Sequence, residues 1–138
     1  MIVVLDTNVL LVSIAPKSIY RPIINALIDG DFELVLSNDI LSEYTEVIER
    51  KANATVANNI AEMLLNLDNL KKVEVYFEWK LISKDPDDNK YVDAAVVGGA
   101  DFIVTNDQHF NILNTIPFPK VNVIDIDGFL NIILKDKT

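Results

Sequence analysis

Four acidic residues of this chain are placed where a carboxylate could take part in catalysis: Asp6, Glu43, Asp88 and Asp107. Each follows an apolar run or lies on a helix predicted beside one. Carboxylates that share one rim of a sheet repel one another unless a cation lies among them. Mg²⁺ and Mn²⁺ are the cations that oxygen ligands usually hold, and phosphodiester hydrolysis is a common use of such sites. The four residues therefore predict a metal site with hydrolytic chemistry.

The first and last of these acids follow short strands. Asp6 comes directly after Ile2–Leu5, and Asp107 comes after the run at residues 102–105. Continuous apolar runs of this length are typical of buried parallel strands. In an open α/β sheet the functional crevice lies beyond the carboxyl ends of such strands. We therefore expect both carboxylates at that edge.

The other two acids lie on helices. Ser37 is a good N-cap for a helix over residues 37–51, and Glu43 lies about two turns into it, on the flank of its apolar face. Asp88 begins a helix that runs to residue 100, where the helix N-terminus favours a carboxylate. That helix is rich in small residues, which let it lie close to a sheet.

Strands and helices alternate along the whole chain. The sequence predicts strands at residues 2–5, 32–36, 72–76, 102–105 and 121–124. It predicts helices at residues 9–14, 19–29, 37–51, 53–67, 88–100, 107–113 and 127–134. This order indicates an α/β fold with a mainly parallel sheet between helical layers. With no repeat and no long linker, we expect one domain over residues 1–138.

Composition narrows the possible functions. The net charge of −9 argues against a simple nucleic-acid binder, since phosphate contacts need Lys and Arg. The absence of cysteine excludes disulfides, thiolate zinc sites and cysteine nucleophiles. The first residues carry no basic segment, and their apolar run is interrupted by Asp6 and Asn8. We therefore expect neither a signal peptide nor a membrane span, and a cytoplasmic location.

Together these motifs resemble the PIN-domain family of metal-dependent ribonucleases, over essentially the whole chain. The matching segments are Val4-Leu5-Asp6-Thr7-Asn8-Val9-Leu10, Glu43-Tyr44, Asp85-Pro86-Asp87-Asp88-Asn89-Lys90 and Val104-Thr105-Asn106-Asp107. The chain looks most like the small single-domain members predicted to be toxins of toxin–antitoxin pairs. The resemblance implies a PIN-like three-layer α/β/α fold and an endoribonuclease that leaves a 3′-hydroxyl and a 5′-phosphate.

The resemblance also implies roles for individual residues. The family's four acids fall on Asp6, Glu43, Asp88 and Asp107, as catalytic residues and as ligands of Mg²⁺ or Mn²⁺. The third assignment is open among Asp88 and its neighbouring acids Asp85, Asp87 and Asp93. Candidate contacts to the substrate or polar supports of the site are Lys90, Arg21, Thr105 and Asn8. The resemblance implies RNA and an antitoxin protein as partners. The high aliphatic content is compatible with a homodimer, and no membrane partner is expected.

Three alternatives stay open. A PIN-like scaffold could bind RNA or protein without cutting. A haloacid-dehalogenase-like phosphatase needs a second Asp two residues after Asp6, where this chain has Asn8. A receiver domain needs adjacent acids after the first strand.

We assign His109, the only histidine, a structural role, and we expect Phe77 and Trp79 to pack rather than to stack on a base.

Overall fold

Five short parallel strands form the centre of the molecule in the computed structural model, which describes residues 1–136. The strands are Ile2–Leu5 (β1), Glu33–Leu36 (β2), Leu70–Lys72 (β3), Phe102–Val104 (β4) and Val123–Ile124 (β5). Their order across the sheet is β3-β2-β1-β4-β5, and each neighbouring pair is parallel. The first strand is therefore central, between β2 and β4.

Helices cover the sheet in two further layers. They are Thr7–Ile14 (α1), Arg21–Asp29 (α2), Asn38–Lys51 (α3), Ala54–Leu65 (α4), Asn89–Gly98 (α5) and Ile126–Asp136 (α6), with 3₁₀ segments at Pro86–Asp88 and Gln108–Thr115. Helix α5 packs directly on β1, β2 and β4, and the other helices contact one another in the order α6, α2, α1, α3, α4. This is the three-layer α/β/α fold that the sequence predicted.

The central strands are buried on both faces, as expected for a covered parallel sheet. Val3, Val4 and Leu5 of β1 are fully buried. Helix α5 approaches the sheet most closely at Gly98, where an added Cβ would lie 2.9 Å from both methyl groups of Val35. The small residues noted in the sequence therefore set the distance between this helix and β2.

Local signals fix the helix ends where the sequence placed them. The hydroxyl of Ser37 accepts a hydrogen bond from the backbone nitrogen of Ile40 at 3.2 Å. The side chain of Asn53 accepts one from Val56 at 2.8 Å. Gly30 ends α2 in the left-handed conformation, with φ of 82°. These caps satisfy backbone groups that a helix end leaves free.

The strand predicted at residues 72–76 was wrong in position. Strand β3 lies at Leu70–Lys72, and residues 73–85 form no regular element except a bend. The partner strand β2 ends at Leu36, and the nitrogen of Val73 makes the last bond to its carbonyl at 2.9 Å. Beyond that point the alternating residues have no strand to pair with.

The predicted helical turn at residues 107–113 is the 3₁₀ segment Gln108–Thr115. Within residues 1–136, no helix has the length and apolar character that crossing a membrane requires.

Candidate active site

Asp6 lies at the carboxyl end of the central strand. Its backbone nitrogen donates to the carbonyl of Val104 at 3.0 Å, which continues the pairing of β1 with β4. It occupies the N-cap position of α1, but its side chain makes no capping hydrogen bond. Instead Oδ2 accepts a hydrogen bond from Thr105 Oγ1 at 2.7 Å. The carboxylate, only 8 % exposed, is therefore turned toward the end of β4.

The surroundings of Asp6 make its ionised form unfavourable in the metal-free protein. Burial raises the pKa of its carboxyl group, and the negative charges of Asp107 and Glu43 raise it further. Hydrogen bonds from Thr105 and from the backbone of Thr7 oppose that rise. A bound cation would reverse the balance, because it favours the ionised carboxylate.

Thr105 joins the first and last acids of the site. Its hydroxyl donates to Asp6 and accepts a hydrogen bond from the backbone nitrogen of Asp107 at 3.0 Å. The carboxylate of Asp107 in turn accepts from the backbone nitrogen of His109 at 2.9 Å and begins the 3₁₀ segment. One threonine therefore holds two acids in a fixed relation.

Asp88 has the surroundings that most clearly suit a bound cation. Its side chain is 13 % exposed, and Oδ2 is buried without a hydrogen-bond partner among residues 1–136. The pKa of this carboxyl group is raised to about 7, mainly by burial and also by the charges of Asp85, Asp107 and Asp6, while His109 lowers it. A buried carboxylate oxygen without a partner is costly. It fits a position that a cation would fill.

The structure brings Asp88 and Asp107 together with two further donors. One ligand atom from each of Asp85, Asp88, Asp107 and His109 lies within 4.8 Å of the other three. The imidazole Nδ1 of His109 is 3.5 Å from Asp107 Oδ1 and 3.8 Å from Asp88 Oδ2. Three carboxylates and one imidazole at this spacing suit a divalent cation, and the donors at the site therefore fit a metal.

Glu43 is held by residues that do not belong to this cluster. Its Oε1 forms an ion pair with Lys90 Nζ at 2.9 Å, and its Oε2 accepts from the hydroxyl of Thr7 at 2.8 Å. The hydroxyl of Tyr91 also donates to Oε2 and contacts Thr7. Lys90 thus neutralises the second acid, whereas no lysine within residues 1–136 pairs with Asp6 or Asp88.

A buried tyrosine places Glu43 near the first strand. Tyr44 is fully buried, and its hydroxyl donates to the carbonyl of Leu5 at 2.5 Å. Burial raises the pKa of this phenol well above its ordinary value, and the charges of Asp6 and Glu43 add to the rise. The bond ties α3 to the carboxyl end of β1, so the residue before Tyr44 faces the site.

The other candidates for the third acid lie in different surroundings. Asp85 belongs to the cluster, and its Oδ1 also accepts from the backbone nitrogen of Asp87 at 3.2 Å. Asp87 is exposed. Asp93 is 5 % exposed and accepts from the backbone nitrogen of Trp79 at 3.0 Å, and burial raises the pKa of its carboxyl group. Asp93 therefore anchors the segment after β3.

The candidate substrate-binding residues divide into two groups. Lys90 and Thr105 contact acids of the site directly, and Asn8 lines a groove beside Asp6. Arg21 donates to the carbonyl of Ile14 at 2.6 Å, at the carboxyl end of α1. Its guanidinium is thus engaged with the helix end.

Sequence reasoning missed Tyr91, left Asp85 among the choices for the third acid, and gave His109 only a structural role. Tyr91 lies three residues after Asp88, a spacing that puts both side chains on one face of a helix, so this signal was available. The closeness of Asp85 and His109 depends on two 3₁₀ segments, at Pro86–Asp88 and Gln108–Thr115. The periodicity of apolar residues in the sequence does not predict the geometry of such 3₁₀ segments.

Comparison with known proteins agrees with this geometry. Residues 2–109 match a family model described as a PIN domain. The structure of VapBC2 from Rickettsia felis, bound to a DNA fragment from their promoter, has a similar fold with a TM-score of 0.61 and 16 % sequence identity. The match covers 91 % of this chain and 98 % of that one. Comparison with curated protein sequences gives no significant match. The chain belongs to the PIN-domain family, as its motifs predicted.

Proposed function

We propose that this protein is a metal-dependent endoribonuclease that hydrolyses phosphodiester bonds of RNA. The observation that carries the proposal is the buried Oδ2 of Asp88, which has no hydrogen-bond partner in the described part of the chain and lies beside Asp107 in a cluster of ionisable donors. Asp6 lies at the same rim of the sheet, and its pKa responds to Asp107. Membership of the PIN-domain family supports the same activity.

Asp6, Asp88 and Asp107 would hold Mg²⁺ or Mn²⁺. The ion, when bound, supplies a water of lowered pKa and offsets the charge that develops on the phosphate. Thr105 fixes the orientation of Asp6 through their hydrogen bond of 2.7 Å. Binding of the ion would also satisfy the buried oxygen of Asp88 and remove the repulsion among the acids.

Glu43 and Lys90 would act on the substrate side. The ion pair between them holds Glu43 next to the site, where its carboxylate would be a ligand of the ion or would orient the attacking water. Lys90 is two residues along the chain from Asp88, and when RNA enters it can contact a phosphate of the RNA. Displacement of the 3′-oxygen leaves a 3′-hydroxyl and a 5′-phosphate.

We also propose that the protein is the toxin of a toxin–antitoxin pair. The fold shared with VapBC2 of Rickettsia felis supports an antitoxin partner. The further parts of this proposal are a single domain over residues 1–138, a homodimer and a cytoplasmic location. If they are right, the antitoxin encoded beside this chain suppresses RNA cleavage, and gel filtration of the free protein gives twice the monomer mass.

The test of the activity uses a labelled RNA oligonucleotide, with and without Mn²⁺ or EDTA. We expect cleavage that requires the metal, and a fall of about a hundredfold or more in Asp6→Asn with the fold intact. Asp101→Asn is the matched control, because Asp101 bonds the nitrogen of Ile2 at the opposite edge of the sheet. A DNA oligonucleotide of the same sequence tests the preference for RNA.

Two results would contradict the proposal. Cleavage that persists in EDTA would exclude the metal, and full activity of Asp6→Asn with metal present would refute the role of Asp6. RNA binding without any cleavage under all metal conditions would indicate the alternative, a PIN-like binding module.

A further inference from the structure

We propose that His109 is a ligand of the metal ion, so that the site binds Mn²⁺ in preference to Mg²⁺. The inference rests on the proposed function, because it assigns one more ligand to the same site. It departs from the structural role that the sequence suggested for this residue. The metal ligands assigned in the four motifs of the resemblance are all carboxylates, whereas His109 adds a nitrogen donor.

The distances around the imidazole fit joint coordination. Its Nδ1 lies 3.5 Å from Asp107 Oδ1 and 3.8 Å from Asp88 Oδ2. Both separations are too long for a good hydrogen bond. Two ligands that each lie about 2.1 Å from one ion are at most about 4.2 Å apart. A shared ion therefore accounts for donors that are close to each other and yet not bonded to each other.

The backbone holds the imidazole in this place. The nitrogen of His109 donates to Asp107 Oδ1 at 2.9 Å, which fixes the first turn of the 3₁₀ segment that follows β4. The side chain of His109 is 42 % exposed, that of Asp107 is 37 % exposed and that of Asp88 is 13 % exposed, so the imidazole stands on the open side of Asp88. Asp88 approaches from a different element, the turn before α5. Three donors thus arrive from two segments of the chain.

The second observation in support of coordination by His109 is the oxygen of Asp88 that lies near its imidazole. Among residues 1–136, Oδ2 of Asp88 is buried and has no hydrogen-bond partner. The position between this oxygen and Nδ1 of His109 is therefore lined by an oxygen without a hydrogen bond and by a nitrogen 3.8 Å from it. A ligand placed there would satisfy both atoms.

The type of donor sets the preference among ions. Mg²⁺ favours oxygen ligands and keeps several of its waters, whereas an imidazole nitrogen is suited to first-row transition ions. Carboxylates alone would not discriminate strongly between Mg²⁺ and Mn²⁺. Replacing one oxygen by the nitrogen of His109 shifts the preference to Mn²⁺. Removing the imidazole should return the site to an all-oxygen donor set.

The composition of the chain makes the test unusually direct. His109 is the only histidine, and there is no cysteine. Protein from which any affinity tag has been removed therefore has a single imidazole. Pulsed electron paramagnetic resonance of bound Mn²⁺ detects the ¹⁴N of a coordinated imidazole, and any such signal must come from this residue. Calorimetric titration with Mn²⁺ and Mg²⁺ gives the two affinities.

We expect the ¹⁴N coupling in the natural protein and in Gln108→Ala, and its loss in His109→Ala. Gln108 is the matched control, because it is exposed and lines the same groove one residue earlier. The affinity of His109→Ala for Mn²⁺ should fall about tenfold or more, with a much smaller change for Mg²⁺. Circular dichroism of each variant checks that the fold is kept.

Different results separate this inference from the proposed function. Bound Mn²⁺ without ¹⁴N coupling, or an unchanged ratio of affinities in His109→Ala, overturns the inference. It would identify His109 as a counter-ion of the acids, and metal-dependent RNA cleavage would still stand. Failure of the natural protein to bind either ion would overturn both, whereas binding with ¹⁴N coupling but without RNA cleavage would overturn the proposed function alone.

Discussion

Removing the charge of Asp88 should stabilise the metal-free protein. Burial and the neighbouring acids raise the pKa of this carboxyl group from 3.8 to about 7. The fold therefore accommodates the protonated form and disfavours the carboxylate. In Asp88→Asn the side chain keeps its shape and loses the charge. The variant should be more stable than the natural protein at neutral pH, although it is expected to be inactive.

The size of the effect follows from the shift in pKa. Each unit is worth about 1.4 kcal/mol, so a rise of about three units sets an upper limit of about 4 kcal/mol. Several acids share this titration and the surrounding water screens part of the repulsion, which reduces the expected gain to about 2 kcal/mol at pH 8. At pH 5.5 the same relation gives about half, or about 1 kcal/mol.

The sign follows from which state binds the proton more tightly. The folded protein holds this proton more tightly than the unfolded chain does. The contribution of Asp88 to stability is therefore full below its ordinary pKa of 3.8 and is lost as the pH rises to about 7. The advantage of the variant should grow with pH across this window.

The assay is urea unfolding in EDTA at pH 5.5 and pH 8, both above the calculated isoelectric point of 4.4. Asp87→Asn is the matched control, since Asp87 is an exposed acid in the same turn. Saturating Mn²⁺ should reverse the order, because an ion at a hundred times its Kd adds about 2.7 kcal/mol to the protein that binds it. A variant no more stable than the natural protein in EDTA at pH 8 would refute the reasoning, as would a gain independent of pH.

Three further substitutions test the positioning of the site. Tyr44→Phe leaves the buried carbonyl of Leu5 without its partner and should lower the free energy of unfolding by about 1–2 kcal/mol, measured in urea. Gly98→Ala should be destabilised by about 1–2 kcal/mol in the same assay, because its Cβ would lie 2.9 Å from Val35, and this overlap outweighs the gain in helix propensity. Thr105→Val should keep the circular dichroism spectrum and slow RNA cleavage about tenfold or more, because it frees the first acid of the site; unchanged cleavage would contradict that role.

Local signals carried much of the fold. The apolar run Ile2–Leu5 has the same bounds in the structure as in the sequence analysis, because its short length and β-branched residues leave few alternatives. Capping residues such as Ser37 and Asn53 fixed helix starts within one residue. The convergence of Asp6 and Asp107 also followed from sequence, since parallel strands deliver their carboxyl ends to one edge.

Features that depend on contacts between separate elements of the chain could not be predicted from the sequence. The alternation at residues 72–76 looks like a strand, but its place was decided by the end of β2 at Leu36. The neutralisation of Glu43 by Lys90 joins residues 47 positions apart. The cluster that contains His109 depends on how two 3₁₀ segments face each other. Sequence patterns describe periods within an element, and these contacts arise between elements.

The central claim is that carboxylates from distant segments hold one divalent ion. A crystal soaked in Mn²⁺, with anomalous diffraction data collected near the manganese edge, tests it most directly. The account predicts an anomalous peak within bonding distance of Asp88 and Asp107, at the carboxyl end of β4. Crystals that take up Mn²⁺ elsewhere, or show no peak between these two carboxylates at saturating Mn²⁺, would contradict it.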